Sequence, residues 1–130
     1  MYLMSVTDRV FETLKGSEAL SDCVIIRAFP FAKKPTRLIH SIITVSPDRT
    51  EFKNIALGGE CAFGTFAVAV DIFSPQEFGS PVTSGVCDNV IKALLETKPV
   101  KISVSPYSEE DDLGAFRVRC TAYYSERFEM

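Results

Sequence analysis

The side chains that most readily do chemistry are few and scattered in this chain of 130 residues. His40 is the only histidine, so any proton-transfer site working near neutral pH has to be built from it and a distant partner. A hydrolytic pairing of His40 with Asp71 or with a cysteine is the one arrangement left open. The plainer reading is a hydrogen-bonded histidine within a strand, beside Leu38 and Ile42. No Gly-x-Ser-x-Gly elbow occurs, and Ser84-Gly85-Val86-Cys87 falls inside a predicted helix, so no serine or cysteine nucleophile comes with an activating base. Cys23, Cys61, Cys87 and Cys120 form no C-x-x-C pair, and three of them interrupt apolar runs. Buried thiols in a reducing compartment are expected, rather than zinc ligands or disulfides. Glu109-Glu110-Asp111-Asp112 concentrates the hard oxygen donors that a divalent cation prefers, but it lacks the alternation and central glycine of a calcium loop, and adjacent carboxylates cannot all converge. A solvated loop is expected there. Gly58-Gly59 and Gly64 are not followed by a helix, as a phosphate cradle requires. The sequence therefore assigns no catalytic, metal or cofactor residues, and its reading is non-enzymatic.

What remains are features of a binding surface. Phe29-Pro30-Phe31 followed by Lys33, Lys34 and Arg37 brings aromatic and cationic side chains into one loop, a composition suited to stacking on nucleic acid or to docking on protein. With 14 basic against 17 acidic side chains and a net charge of −3, the chain lacks the basic surplus that neutralises phosphates, which favours protein over nucleic acid. Tyr123, Tyr124 and Phe128 add aromatic groups that a small domain exposes only where a partner covers them. The alternative for all of these is ordinary cover for a sheet edge.

The elements that must position these residues follow from periodicity. Ser5-Val6-Thr7-Asp8 has the form of a capping box, Leu3, Val6, Val10, Phe11 and Leu14 recur at helical spacing, and Gly16 is placed to end the helix. Cys23 to Phe29 reads as a strand stopped by Pro30, and Arg37 to Val45 as a second, neighbouring strand ending near Pro47. Asp48 to Glu60 reads as the elaborated tip of a long hairpin whose return strand is Cys61 to Phe73. In that strand Phe66, Val68, Val70 and Ile72 share an apolar face opposite Thr65, Ala67, Ala69 and Asp71, which suits a half-buried antiparallel sheet. Ser80 as N-cap with Pro81 at the first helical position starts a second helix. Its buried stripe is Val82, Val86, Val90 and Leu94 with Ile91 and Leu95, and it stops before Pro99. Val100, Ile102 and Val104 alternate with Lys101, Ser103 and Ser105, and Phe116 to Tyr124 alternates likewise, giving two closing strands.

The expectation is one α+β domain over residues 1–130: a mainly antiparallel five-stranded sheet with two helices packed on it, in the order α-β-β-β-α-β-β. Met1 to Val6 lacks a basic n-region and apolar h-region, and no apolar run is long enough to span a bilayer, so cytoplasmic localisation without a membrane partner is expected.

This element order, with Ile55-Ala56-Leu57-Gly58-Gly59, Val70-Asp71-Ile72-Phe73-Ser74-Pro75 and Leu113-Gly114-Ala115-Phe116-Arg117, resembles small tail proteins encoded in prophages of Gram-positive bacteria, and within them the phage tail terminator, or tail-completion, group. The resemblance implies a structural protein, commonly a hexameric ring, that caps the tail tube and joins it to the head connector. It also implies assembly in the cytoplasm of the bacterial host and a final place in the virion tail. Ring closure requires two different complementary patches on each protomer. The basic loop of Lys33, Lys34 and Arg37, with Phe29 and Phe31, and the acidic run of Glu109, Glu110, Asp111 and Asp112 are the candidate pair, with charge steering their approach. Strand addition at an open sheet edge is a second route to such a contact. A non-catalytic α+β binding module of unrelated function is the competing reading.

Overall fold

The structure, a computed structural model, describes residues 3–27, 40–53, 61–106, 108–110 and 114–129. Helix α1 (Leu3–Lys15) lays Val6, Val10 and Leu14 on the sheet, all fully buried. Ser5 is inside this helix rather than its cap. Burial of that stripe rewards helical geometry through the first turn, and Asp8 forms an ion pair with Arg27 instead of closing a capping box. Gly16 does follow the last turn, its N–H donating to the Glu12 carbonyl at 3.0 Å. A single 3-10 turn (Glu18–Leu20) then leads into strand β1 (Val24–Arg27).

Strand β2 (Ile42–Lys53) starts later and runs further than the sequence predicts. His40 lies in a bend before it, not within it. Pro47 does not end the strand: the pairing of β2 with β3 continues past it to Lys53, with an irregularity between Pro47 and Arg49 that accommodates the proline. The predicted tip is strand as far as Lys53; residues 54–60 lie outside the described residues. Strand β3 (Cys61–Pro75) returns antiparallel to β2. After a 3-10 turn (Gln76–Phe78), helix α2 (Ser80–Glu96) crosses the same face as α1. Its cap is Gly79 rather than Ser80, at φ 83°, a backbone conformation in which any side chain would be strained.

Strand β4 (Lys101–Val104) and the three-residue β5 (Ser108–Glu110) both pair with the long closing strand β6 (Ala115–Glu129). Glu109 and Glu110 thus belong to a strand, not a loop, since their backbone meets the part of β6 that β4 leaves uncovered. The fold is α+β, with a five-strand path β1-β2-β3-β6-β4 and β5 beside it on β6. One pair, β1 with β2, is parallel; the others are antiparallel.

Phe66, Val68, Val70 and Ile72 form the core with both helices and with Val118, Cys120, Ala122 and Tyr124 of β6. Each such large apolar side chain contributes about 1.5–3 kcal/mol on burial. Tyr124 is 2% exposed and belongs to this core, not to an exposed aromatic surface. Thr97 Oγ1 donates to the Leu94 carbonyl at 2.6 Å and accepts from the Tyr124 hydroxyl at 2.6 Å, which ties the end of α2 to β6. The stripe of α2 is rotated from the predicted one: Thr83, Cys87, Val90 and Leu94 are buried, whereas Val82 and Leu95 face solvent. A helix lying across a twisted sheet buries the stripe its crossing angle selects, and periodicity alone leaves that choice a residue wide. Lys98, just past the helix, takes φ 57°, a left-handed position usually given to glycine, at a cost of about 1–2 kcal/mol.

Candidate functional site

A cavity of about 390 Å³ opens where the first turns of α2 face the turns leading into β1 and β2. Asp22, Cys23, His40 and Ser41 come from those turns, and Phe78, Val82, Gly85, Val86 and Asn89 from the second 3-10 turn and α2. Backbone pairing explains why residues so far apart in sequence meet: the Val24 N–H donates to the Ser41 carbonyl at 3.0 Å, which brings the segments of Cys23 and His40 to one cavity. The Ser41 hydroxyl is itself 3.1 Å from that of Ser74, so the floor of the cavity is tied to the end of β3. Along α2, positions 82, 85, 86 and 89 repeat at helical spacing and line one wall. A Cβ at Gly85 would meet no atom within 4 Å, so the glycine leaves that wall recessed.

The cavity thus holds a histidine, a cysteine and a carboxylate with apolar walls, the donor mix of several kinds of site. Its thiol is poorly suited to attack. Burial first, and the Asp22 carboxylate second, push the Cys23 thiol above its ordinary value, which disfavours the thiolate that a nucleophile or a soft metal needs. No group of three or more metal-ligating side chains converges among the described residues. Asp71, the other partner considered for His40, does not line this cavity. It lies on the second face of the sheet, where Arg119 donates Nε and Nη2 to its two carboxylate oxygens at 2.8 and 3.0 Å and Arg117 adds a contact at 3.3 Å. Its bond to Asp71 holds the Arg119 guanidinium above its ordinary range, against the opposing effect of burial. This fork is structural cement between adjacent strands.

Of the residues singled out in the sequence, Phe29, Phe31, Lys33, Lys34, Arg37, Asp111 and Asp112 lie outside the described residues, and Glu109 and Glu110 are placed only by the pairing of β5 with β6. His40 and Cys23 are brought together. Val82 belongs to the stripe predicted for the second helix, whereas Asp22, Phe78 and Asn89 carry no motif; the other local signal is Gly85, a glycine inside a helix at a cost of roughly 1 kcal/mol. Among the described residues no helix is long and apolar enough to cross a membrane.

Comparison of the chain with protein-family models and with curated protein sequences finds no match.

Proposed function

We propose that this chain is a structural protein that assembles with copies of itself into a ring, and that the ring caps a phage tail tube as a tail terminator or completion protein does, meeting the tube on one side and the head connector on the other. The observation that carries the reading is the extent, among the described residues, of three strands beyond their neighbours. Among the described residues β1 pairs with β2 as far as Val45, and β4 pairs with β6 between Cys120 and Tyr123. Past those points β2, β3 and β6 continue together to Lys53, Cys61 and Glu129. Cys61 to Ala67 alone spans about 20 Å at the rise of an antiparallel strand.

Both margins of this ribbon are without a partner strand among the described residues. Rows of unpaired backbone donors and acceptors are templates for another chain, and natural proteins rarely leave them long unless they are used. A contact in which one margin meets the other margin of the next copy is heterologous, and such contacts close into rings when the rotation between copies allows it.

Native mass spectrometry across a concentration series tests the proposal. A discrete closed oligomer, seen as an annulus by negative-stain microscopy and binding a phage tail tube protein, is expected. A chain that stays monomeric at every concentration, with and without tube protein, overturns it and leaves the binding-module reading.

A further inference from the structure

Cys87 and Cys120 stand 33 positions apart in sequence, yet their Sγ atoms lie 3.7 Å apart. Cys87 belongs to the buried stripe of α2 and Cys120 to the helix side of β6, and both are members of the main apolar cluster. Register fixes this meeting. Cys120 is held in ladders on both sides, opposite Val70 of β3 and Val104 of β4. Ten residues beyond Cys87, about 15 Å along the helix axis, Thr97 bonds to Tyr124, which is four residues and about 13 Å beyond Cys120 on β6. The two ties have matching spacing in both elements, so α2 runs along β6 and cannot slide without breaking the Thr97–Tyr124 bond.

We propose that Cys87 and Cys120 are a latent redox pair, which joins in a disulfide that staples α2 to β6 in oxidising surroundings and packs as two thiols in reducing ones. A disulfide brings its sulfur atoms to about 2 Å, and the gap to close from 3.7 Å is within what rotation about χ1 gives a sulfur atom. A monomer and a ring carry the same pair, so the proposal stands apart from the ring reading.

Cys87 is 8% exposed and Cys120 fully buried, so a small oxidant such as hydrogen peroxide reaches Cys87 first. The Cys87 thiolate attacks a peroxide oxygen and the O–O bond breaks, leaving a sulfenic acid while the departing hydroxide becomes water with the thiol's proton. The Cys120 thiolate then attacks Cys87 Sγ. The S–S bond forms, the S–O bond breaks, and the second hydroxide leaves as water with the Cys120 proton. Two thiols give up two electrons, and one peroxide is reduced to two waters. Burial foremost pushes both thiols above their ordinary 9.0, so thiolate is scarce and the reaction is slow at neutral pH.

The test uses the full chain with Cys23→Ser and Cys61→Ser, which leaves this pair as the only thiols. Under native conditions peroxide should consume both, lower the mass by two hydrogen atoms and give a peptide that joins Cys87 to Cys120 after proteolysis. In urea denaturation the oxidised form should favour the folded state roughly a hundredfold over the reduced form, because the bond closes a loop in the unfolded chain. Cys120→Ala in the same background should show neither change. Thiols that both persist under native conditions, or that join only once urea has unfolded the chain, overturn the proposal, as does a disulfide that leaves the urea transition where it was.

Discussion

The two faces of strand β3, at the centre of the sheet, are buried to the same degree by different means. On the helix side, Phe66, Val68, Val70 and Ile72 of β3 are at most 1% exposed under α1 and α2. On the other side, Ala67, Ala69, Asp71 and Phe73 of the same strand are at most 6% exposed, although α1 and α2 pack on the opposite face. Small side chains and a carboxylate take up little height there, and longer neighbours close over them: Arg119 and Arg117 grip Asp71, and the Arg117 guanidinium lies 5.8 Å from the Phe73 ring centroid. One face is stable because apolar area leaves water, the other because strand-to-strand electrostatics lock a thin layer in place. The first is insensitive to charge and the second is built on it.

Emptying the helix-side face should have the largest effect. Phe66→Ala removes the largest fully buried side chain and should cost about 3–5 kcal/mol in urea denaturation. A cost under about 1 kcal/mol would mean that the two faces do not differ as described. Breaking the fork on the second face should cost less: Asp71→Ala is expected to lose about 1–3 kcal/mol, because the carboxylate is largely buried while Arg119 keeps 40% of its side chain in water. A double-mutant cycle with Arg119→Ala should recover most of this as coupling, and additivity would show that the fork holds nothing. The smallest effect is a pH slope. Burial foremost, then its neighbour Cys87, whose Sγ lies 3.7 Å away, push the Cys120 thiol above its ordinary 9.0. Below 9 the thiol is protonated in both states, and above 9 it ionises in the unfolded chain first, so stability is expected to fall as pH rises beyond 9. Cys120→Ala should flatten that alkaline slope; an unchanged slope would assign it elsewhere.

Legibility in the sequence followed how local each signal was. The apolar stripe of α1, the stop of α2 before Pro99 and the alternation of β4 and β6 are encoded within a dozen residues, and the structure places all of them. Pro47 misled because a proline can sit inside a strand at an irregularity, and the one between Pro47 and Arg49 exists only once β2 is paired with β3. Tyr124 misled because an aromatic near the end of a chain looks available until the Thr97 hydroxyl at the end of α2 is brought to it. The cavity was the least visible part. It is assembled from turns and helix positions whose only shared property is the space between them.

The sequence by itself determined the class of the molecule: one mildly acidic α+β layer structure, with two amphipathic helices and strands rich in β-branched residues. Those properties are periodic, and periodicity is written residue by residue. Only the tertiary structure decided that β1 runs parallel to β2, that both faces of β3 are buried, that His40 and Cys23 line one cavity, and that β2, β3 and β6 pair over so long a stretch. Each of these depends on the register between segments distant in the chain, and register is set by the packing of all of them at once.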